Sequence, residues 1–328
     1  MNPKVSLVPV DGVAVTALVD NLVDIFMPDE GPAERRALSS AFEARRRAGT
    51  LVGRQAPEQL VAEHGFSVLV EVTAGKRRHC LLFDAGVSPD GLIENMKRLD
   101  VDPRSVEAVV MSHGHFDHTT GLDGFIRAVG RPNLPVLLHP HFWHRRRIRL
   151  PGREPWELPS TSKRALEGAG FQIVEERSPS FLLDESVLVT GEIDRTTEFE
   201  RGFPIQDSYR DGAWTPDPLV LDDQGVVVNV AGRGLLVITG CGHSGIINTI
   251  QHAQKLTGVE RVYAVIGGFH LNGPLFEPQI PEVIKQIEVI DPEILVPAHC
   301  TGWRAVHALA RRFPDKVIPS SVGTVFRL

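Results

Sequence analysis

Ser112-His113-Gly114-His115-Phe116-Asp117-His118 follows directly on an apolar run, Ala108–Met111, that reads as a buried strand. Three imidazoles and one carboxylate therefore fall within six residues at a strand's end, where one turn aims all four at a common point. Imidazole nitrogen and carboxylate oxygen suit a divalent cation such as zinc, iron or manganese. Gly114 reads as the residue that supplies the backbone freedom for a sharp turn. A polar loop with incidental histidines is the competing reading, and so dense a set of ligand types makes it the weaker one.

Two further histidines share that setting. The strand-like run Leu235–Thr239 ends at Gly240-Cys241-Gly242-His243-Ser244-Gly245, and Ile294–Pro297 ends at Ala298-His299-Cys300-Thr301-Gly302. Open α/β sheets bind their ligands beyond the carboxyl ends of strands, which favours His243 and His299 as ligands over packed histidines.

The remaining pattern alternates strands with helices. Strands are expected at Val13–Val19, Ser67–Thr73, His79–Phe83, Leu134–Leu138, Gly225–Val230, Arg261–Ile266 and Thr324–Arg327. Helices are expected at Leu92–Leu99, Ile246–Leu256, Pro281–Ile290 and Ala305–Phe313, and over Pro32–Ala48 with Arg45, Arg46 and Arg47 in its last turn. The whole, 1–328, reads as one α/β domain with mixed sheets. The proline- and arginine-rich stretch 142–218 reads as an insertion or lid within it.

Lys and Arg total 35 against 41 Asp and Glu, a net charge of −6, which argues against nucleic acid as a partner. No run approaches the roughly 20 apolar residues of a membrane span. The first 21 residues lack an unbroken apolar core and a small-residue cleavage site, so no signal peptide is expected. Three cysteines do not make a disulfide framework, and a cytoplasmic location is expected.

His-Gly-His-Phe-Asp-His, then Gly-Cys-Gly-His-Ser-Gly, then Pro-Ala-His-Cys resembles the metallo-β-lactamase superfamily over nearly the whole chain. Within it the chain is similar to the branch of 7,8-dihydropterin-6-yl-methyl-4-(β-D-ribofuranosyl)aminobenzene 5'-phosphate synthase-like proteins. The stretches that carry this are Leu18-Val19-Asp20-Asn21, Glu63-His64-Gly65-Phe66-Ser67, Thr190-Gly191-Glu192-Ile193, Asp222-Asp223-Gln224, Gly267-Gly268-Phe269-His270 and His299-Cys300-Thr301-Gly302. The resemblance implies a four-layer αββα sandwich with metals at one edge. It implies a first metal site from His113, His115 and His243, a second from Asp117, His118 and His299, and Asp84 as an orienting partner of a ligand.

Many members of that superfamily carry an aspartate bridging both metals where this chain has Gly267-Gly268-Phe269-His270. His270 is read as a pocket residue for proton transfer or substrate contact, with metal ligation as the alternative. Cys241 and Cys300 read as small buried residues beside the site rather than thiolate ligands. His141, His144, Arg145, Arg146, Arg147 and Arg149 form a basic cluster, either solvated or a phosphate clamp at Arg145 and Arg147. Phe142, Trp143, Trp156, Phe181 and Trp214 form either an aromatic wall for a flat ring or a small core of their own.

The leading expectation is a metal-dependent hydrolase, with one or two ions generating hydroxide near neutral pH for attack on an ester or phosphoester. Asp117 would orient the water, and His270 would protonate the leaving group. The alternative is a metal-dependent transferase that condenses a pterin diphosphate with an aminobenzene ribofuranosyl phosphate. A metal-bearing binding or sensor protein is the third reading. The expected partner is a small molecule, phosphorylated or pterin-like.

Overall fold

Apolar side chains on both faces of the strands decide the layering. In Ser67–Ala74, Val68, Val70 and Val72 face one side and Leu69 the other; in Arg77–Phe83, Leu81 and Phe83 oppose Cys80 and Leu82. Successive side chains alternate across a strand, so a strand apolar on both faces needs a covering layer on each. The computed structural model, which describes residues 6–43, 45–130 and 133–328, supplies both. Residues 1–5 and Ala44, which the leader and first-helix expectations include, lie outside the described residues.

An eight-stranded sheet runs Phe171–Glu175, Leu134–Leu138, Ala108–Val110, Arg77–Phe83, Ser67–Ala74, Gly12–Val19, Thr324–Arg327, Ala33–Arg35. Its first four strands are parallel and the rest antiparallel. A six-stranded sheet runs Ser180–Leu182, Val187–Val189, Val226–Val230, Gly234–Thr239, Val262–Gly268, Ile294–Ala298, with its last three strands parallel. Val15, Val70, Phe83 and Val110 of the first sheet meet Val226, Val228, Ile238 and Ile266 of the second in one core. Each such buried side chain contributes about 1.5–3 kcal/mol.

Helices Gly91–Arg98 and Leu122–Val129 cover the outer face of the large sheet through Leu92, Met96, Leu122 and Phe125. Helices Ile246–Thr257, Ile280–Ile290 and Trp303–Arg312 cover the other through Ile250, Val283 and Leu309. The order helix, sheet, sheet, helix is the expected αββα sandwich. Among the described residues no helix is long and apolar enough to cross a membrane.

The helix expected over Pro32–Ala48 is broken into three parts. Ala33–Arg35 is an edge strand paired to Thr324–Phe326, Ala37–Glu43 is a short helix, and Arg45–Arg47 is an exposed strand paired to Gln55–Pro57. Long-range pairing has overridden a helical spacing too short to stand alone. Within 142–218, Trp156–Glu157, Arg146–Ile148, Gln206–Arg210 and Ala213–Pro216 form a separate four-stranded sheet. The same segment also lends Phe171–Glu175 to the large sheet, and Ser180–Leu182 and Val187–Val189 to the second.

Parallel neighbours deliver their carboxyl ends to one edge. Asp84 follows Arg77–Phe83, the His113 motif follows Ala108–Val110, and His243, His270 and His299 follow the three parallel strands of the second sheet.

Candidate metal centre

His113, His115 and His243 bring one ring nitrogen each into a common cluster, and Asp117, His118, Cys241 and His299 bring their donor atoms into a second. All seven side chains are buried. The two clusters touch: the rings of His113 and His118 lie 4.3 Å apart, centre to centre. A third set, Cys241, His243 and His270, overlaps both.

The hydrogen-bond network fixes which nitrogen faces inward on His113, His115, His118 and His299. Ser112 Oγ donates to Asp84 Oδ2 at 2.6 Å and so accepts from His113 Nδ1 at 2.9 Å, leaving the lone pair of His113 on Nε2. The Gln206 amide nitrogen faces the Asp217 oxygens at 3.3 Å, so its Oε1 accepts from His115 Nε2 at 2.6 Å and frees Nδ1. His118 Nδ1 donates to Asp84 Oδ2 at 2.6 Å, and His299 Nδ1 faces Asn21 Oδ1 at 3.3 Å. The other nitrogen of each of these four rings therefore points inward.

His113 Nε2 and His115 Nδ1 confront one another at 3.0 Å, lone pair to lone pair, with His243 Nε2 3.2 Å from the latter. Nitrogens bound tetrahedrally to zinc at 2.0–2.1 Å lie about 3.4 Å apart, so the triad fits a cation that the lone pairs share. In the second cluster Asp117 Oδ2 is 3.4 Å from His299 Nε2 and 3.8 Å from His118 Nε2. The residues present fit a divalent ion at each position.

Electrostatics agree with that fit. Burial and the surrounding rings hold His113 and His243 well below the ordinary imidazole range, and burial with Arg146 pulls His115 to about 4. These three are neutral imidazoles at physiological pH. Burial alone would raise Asp117, but His118 and His299 outweigh it and keep the carboxylate ionised. Burial lowers His118 too, but Asp84 and Asp117 prevail and push it up to about 9 in the metal-free centre.

Asp84 is buried, with φ +59, and serves both clusters: Oδ1 accepts Ser112 N–H at 2.7 Å while Oδ2 serves Ser112 Oγ and His118. His270 and His299 also sit in the left-handed region, at φ +45 and +46, a backbone cost that clusters at functional sites. His270 packs 4.1 Å from the His243 ring, and neither of its nitrogens finds a hydrogen-bond partner among the described residues. Gly114 is not left-handed; its need is space. A Cβ there would collide with the Phe142 carbonyl and the Arg146 guanidinium. Gly114→Ala is expected to displace the motif and leave the purified protein with less than about a tenth of its metal, read by elemental analysis.

Several supporting residues carry no signal in the sequence beyond resemblance. Asp222 accepts Gly114 N–H at 2.9 Å and pairs with buried Arg146 at 2.7 Å, Asp223 accepts Ser244 N–H at 2.7 Å, and Gln224 bonds Ser112 and Met111. One short loop thus braces two ligand motifs. Asp20 Oδ1 accepts His299 N–H at 2.9 Å. Phe203 stacks on His243 at 5.2 Å and contacts His270, as does Phe276. His64, whose side chain is mostly exposed, stands 3.7 Å from Asp117 Oδ2 at the mouth.

Among the described residues no contact brings Arg145 or Arg147 to the cluster. Arg145 pairs with Glu157 at 2.6 Å, and Arg147 with Asp207 at 2.8 Å, both stacked near Trp214. Alternation along the strand sends Arg146 inward instead. The five aromatics expected as a wall or a separate core are dispersed: Phe142 lies in the outer core of the large sheet, Trp156 meets Phe116, and Phe181 packs elsewhere.

Glu200 reaches from a distant loop to cap helix Ile246–Thr257, accepting Ile247 and Asn248 N–H at 2.9 and 2.8 Å. Burial outweighs these bonds and pushes its carboxyl up to about 7. A raised carboxyl pKa stabilises the fold below the ordinary value and loses that contribution as pH rises through about 7. In metal-loaded protein, Glu200→Gln is expected to flatten the decline in stability between about pH 4.5 and 7, read from denaturant midpoints across that window.

The family model for the metallo-beta-lactamase superfamily matches residues 61–253. The chain belongs to this superfamily. A Methanocaldococcus jannaschii protein, 7,8-dihydropterin-6-methyl-4-(beta-D-ribofuranosyl)-aminobenzene-5'-phosphate synthase, is 31% identical over 81% of this chain and 90% of its own. An uncharacterized protein of the same organism, MJ0448, is 32% identical over 80% of this chain and 93% of its own. Among solved structures, Tm1679, a metal-dependent hydrolase of the beta-lactamase superfamily, aligns with TM-score 0.70 at 24% identity, covering 96% of this chain and 98% of that one. That superfamily typically binds metal ions, and the clusters above are the groups of this member that could hold them.

Proposed function

We propose that this protein is a metal-dependent hydrolase of small ester or phosphoester substrates. Its ions are held by His113, His115 and His243 on one side and by Asp117, His118 and His299 on the other. The observation that carries this reading is the convergence of the inner ring nitrogens, which for His113, His115, His118 and His299 is fixed by an outer partner: Ser112, Gln206, Asp84 and Asn21. Bound divalent zinc, iron or manganese supplies an acidified water and polarises a substrate oxygen.

The chain's own groups do the rest. Asp117, held ionised, orients the attacking water. Phe203 and Phe276 exclude bulk solvent on the His243 side. His270, with both nitrogens unengaged among the described residues, passes a proton to the leaving group. A phosphate on the substrate would meet Arg145 or Arg147 only by exchanging their Glu157 and Asp207 partners.

Complete chelation is expected to abolish turnover of aryl esters and phosphodiesters, and added zinc or manganese to restore it. Turnover that survives chelation ends the reading.

A transferase reading is favoured by one finding, the synthase named among the relatives. There the aminobenzene ribofuranosyl phosphate would bond through carbon to the pterin methylene as diphosphate leaves, at the centre lined by the same residues. Mass spectrometry of a reaction with both substrates separates the two: a condensed product supports transfer, a hydroxymethyl pterin alone supports hydrolysis.

A further inference from the structure

The second cluster contains one more donor than the two expected metal sites assigned. Cys241 Sγ lies 3.2 Å from His118 Nε2 and 3.4 Å from His299 Nε2, and the donor atoms of Asp117, His118, Cys241 and His299 all lie within 4.8 Å of one another. We propose that Cys241, as a thiolate, is the fourth ligand of the Asp117–His118–His299 ion and closes that position to water.

Three observations carry this. First, both imidazoles turn their inner nitrogen toward Sγ, because their outer nitrogens are committed to Asp84 and Asn21. A cation shared by both deprotonated inner nitrogens and a thiolate satisfies all three donors at once. Second, sulfur at 2.3 Å and nitrogen at 2.0–2.1 Å from one zinc lie about 3.6 Å apart, close to the separations seen. Third, two dications would face a single carboxylate in the clusters, Asp117, since Gly267–His270 offers no acid. A thiolate adds the second negative charge where buried walls keep counter-ions out. Cys300 is committed elsewhere, its Sγ donating to the Cys241 carbonyl at 3.1 Å.

The consequence is a division of labour that rests on the two-ion reading above. Three histidines leave a tetrahedral ion one open position, whereas four protein donors fill the other shell. Substrate chemistry then belongs to the three-histidine ion, and the closed ion sets the charge of the centre.

Cobalt(II) substitution tests this without recourse to turnover. Wild-type protein is expected to take up two ions per chain and to show an intense near-ultraviolet thiolate-to-cobalt band. Cys241→Ser should lose the band, keep the first ion and bind the second at least about 10-fold more weakly, while Cys300→Ser keeps both. Two bound ions without the band, or a band that survives in Cys241→Ser, overturns the proposal. Should the variant fail to fold, X-ray absorption of the wild-type zinc protein decides: a sulfur neighbour at about 2.3 Å supports the proposal, and nitrogen and oxygen neighbours alone overturn it. One bound ion with sulfur would sustain Cys241 and refute the two-ion centre, whereas no metal uptake refutes both.

Discussion

Asp84→Asn is expected to strip metal from both clusters at once. Asparagine tolerates the left-handed backbone that Asp84 adopts, so the turn itself survives the change. Its chemistry does not. The carboxylate accepts three hydrogen bonds, from Ser112 N–H, Ser112 Oγ and His118 Nδ1. An amide turns one of its two acceptors into a donor, which must face a donor in a fully buried site. His118 then loses the partner that keeps its lone pair inward, and Ser112 loses the partner that lets it accept from His113. Outer partners of metal ligands are worth about 10–100-fold in affinity, and here one residue serves a ligand in each cluster. Competition with a chelator should show both ions weakened in Asp84→Asn, whereas Ser112→Ala should weaken only the three-histidine ion. Two undisturbed ions in Asp84→Asn would remove the relay from the account.

The relay also marks where sequence reading stops. His113, His115, Asp117 and His118 are legible because four donors crowd six residues, and His243 and His299 because each follows a strand. Those are local facts, and local facts survive in one dimension. Gln206, Asp222, Phe203 and Glu200 act across gaps of tens of residues, on the His115 ring, the Gly114 amide, the His243 ring and the Ile247 amide. Gln, Asp, Phe and Glu are common residue types with many bland uses, and no spacing links them to their targets.

Arg145–Arg147 show a different limit. Alternation along a strand at Arg146–Ile148 singles out Arg146, but three residues carry too little periodicity to reveal one in the sequence. The expected helix over Pro32–Ala48 had the opposite fault, a real spacing overridden by pairing with the last strand of the chain. The α/β organisation with mixed sheets is legible because its long buried strands and amphipathic helices state their period repeatedly, each supporting the others, whereas the four-layer sandwich is what the family resemblance implies.

Removing the metals is expected to destabilise the protein, and by more as pH rises. At ion concentrations about 100 times Kd each ion contributes about 2.7 kcal/mol, so two contribute about 5 kcal/mol and move Tm by roughly 10 °C. The pH dependence follows from His118. In the metal-free centre Asp84 and Asp117 overcome the effect of burial and push its imidazole up to about 9. A raised imidazole pKa stabilises the fold fully below the ordinary 6.5 and loses that contribution as pH climbs through about 9. The metal needs the same nitrogen deprotonated, so its binding expels a proton and strengthens over the same window. His115, pulled to about 4, and the still lower His113 and His243 have no proton to give up there. The Tm difference between zinc-loaded and chelated protein should therefore widen from pH 6.5 to 9, the chelated form falling and the loaded form holding. In Asp84→Asn the widening should shrink, because the main carboxylate that raises His118 is gone. A difference that stays constant or narrows across the window would show that His118 does not exchange its proton for a metal ion.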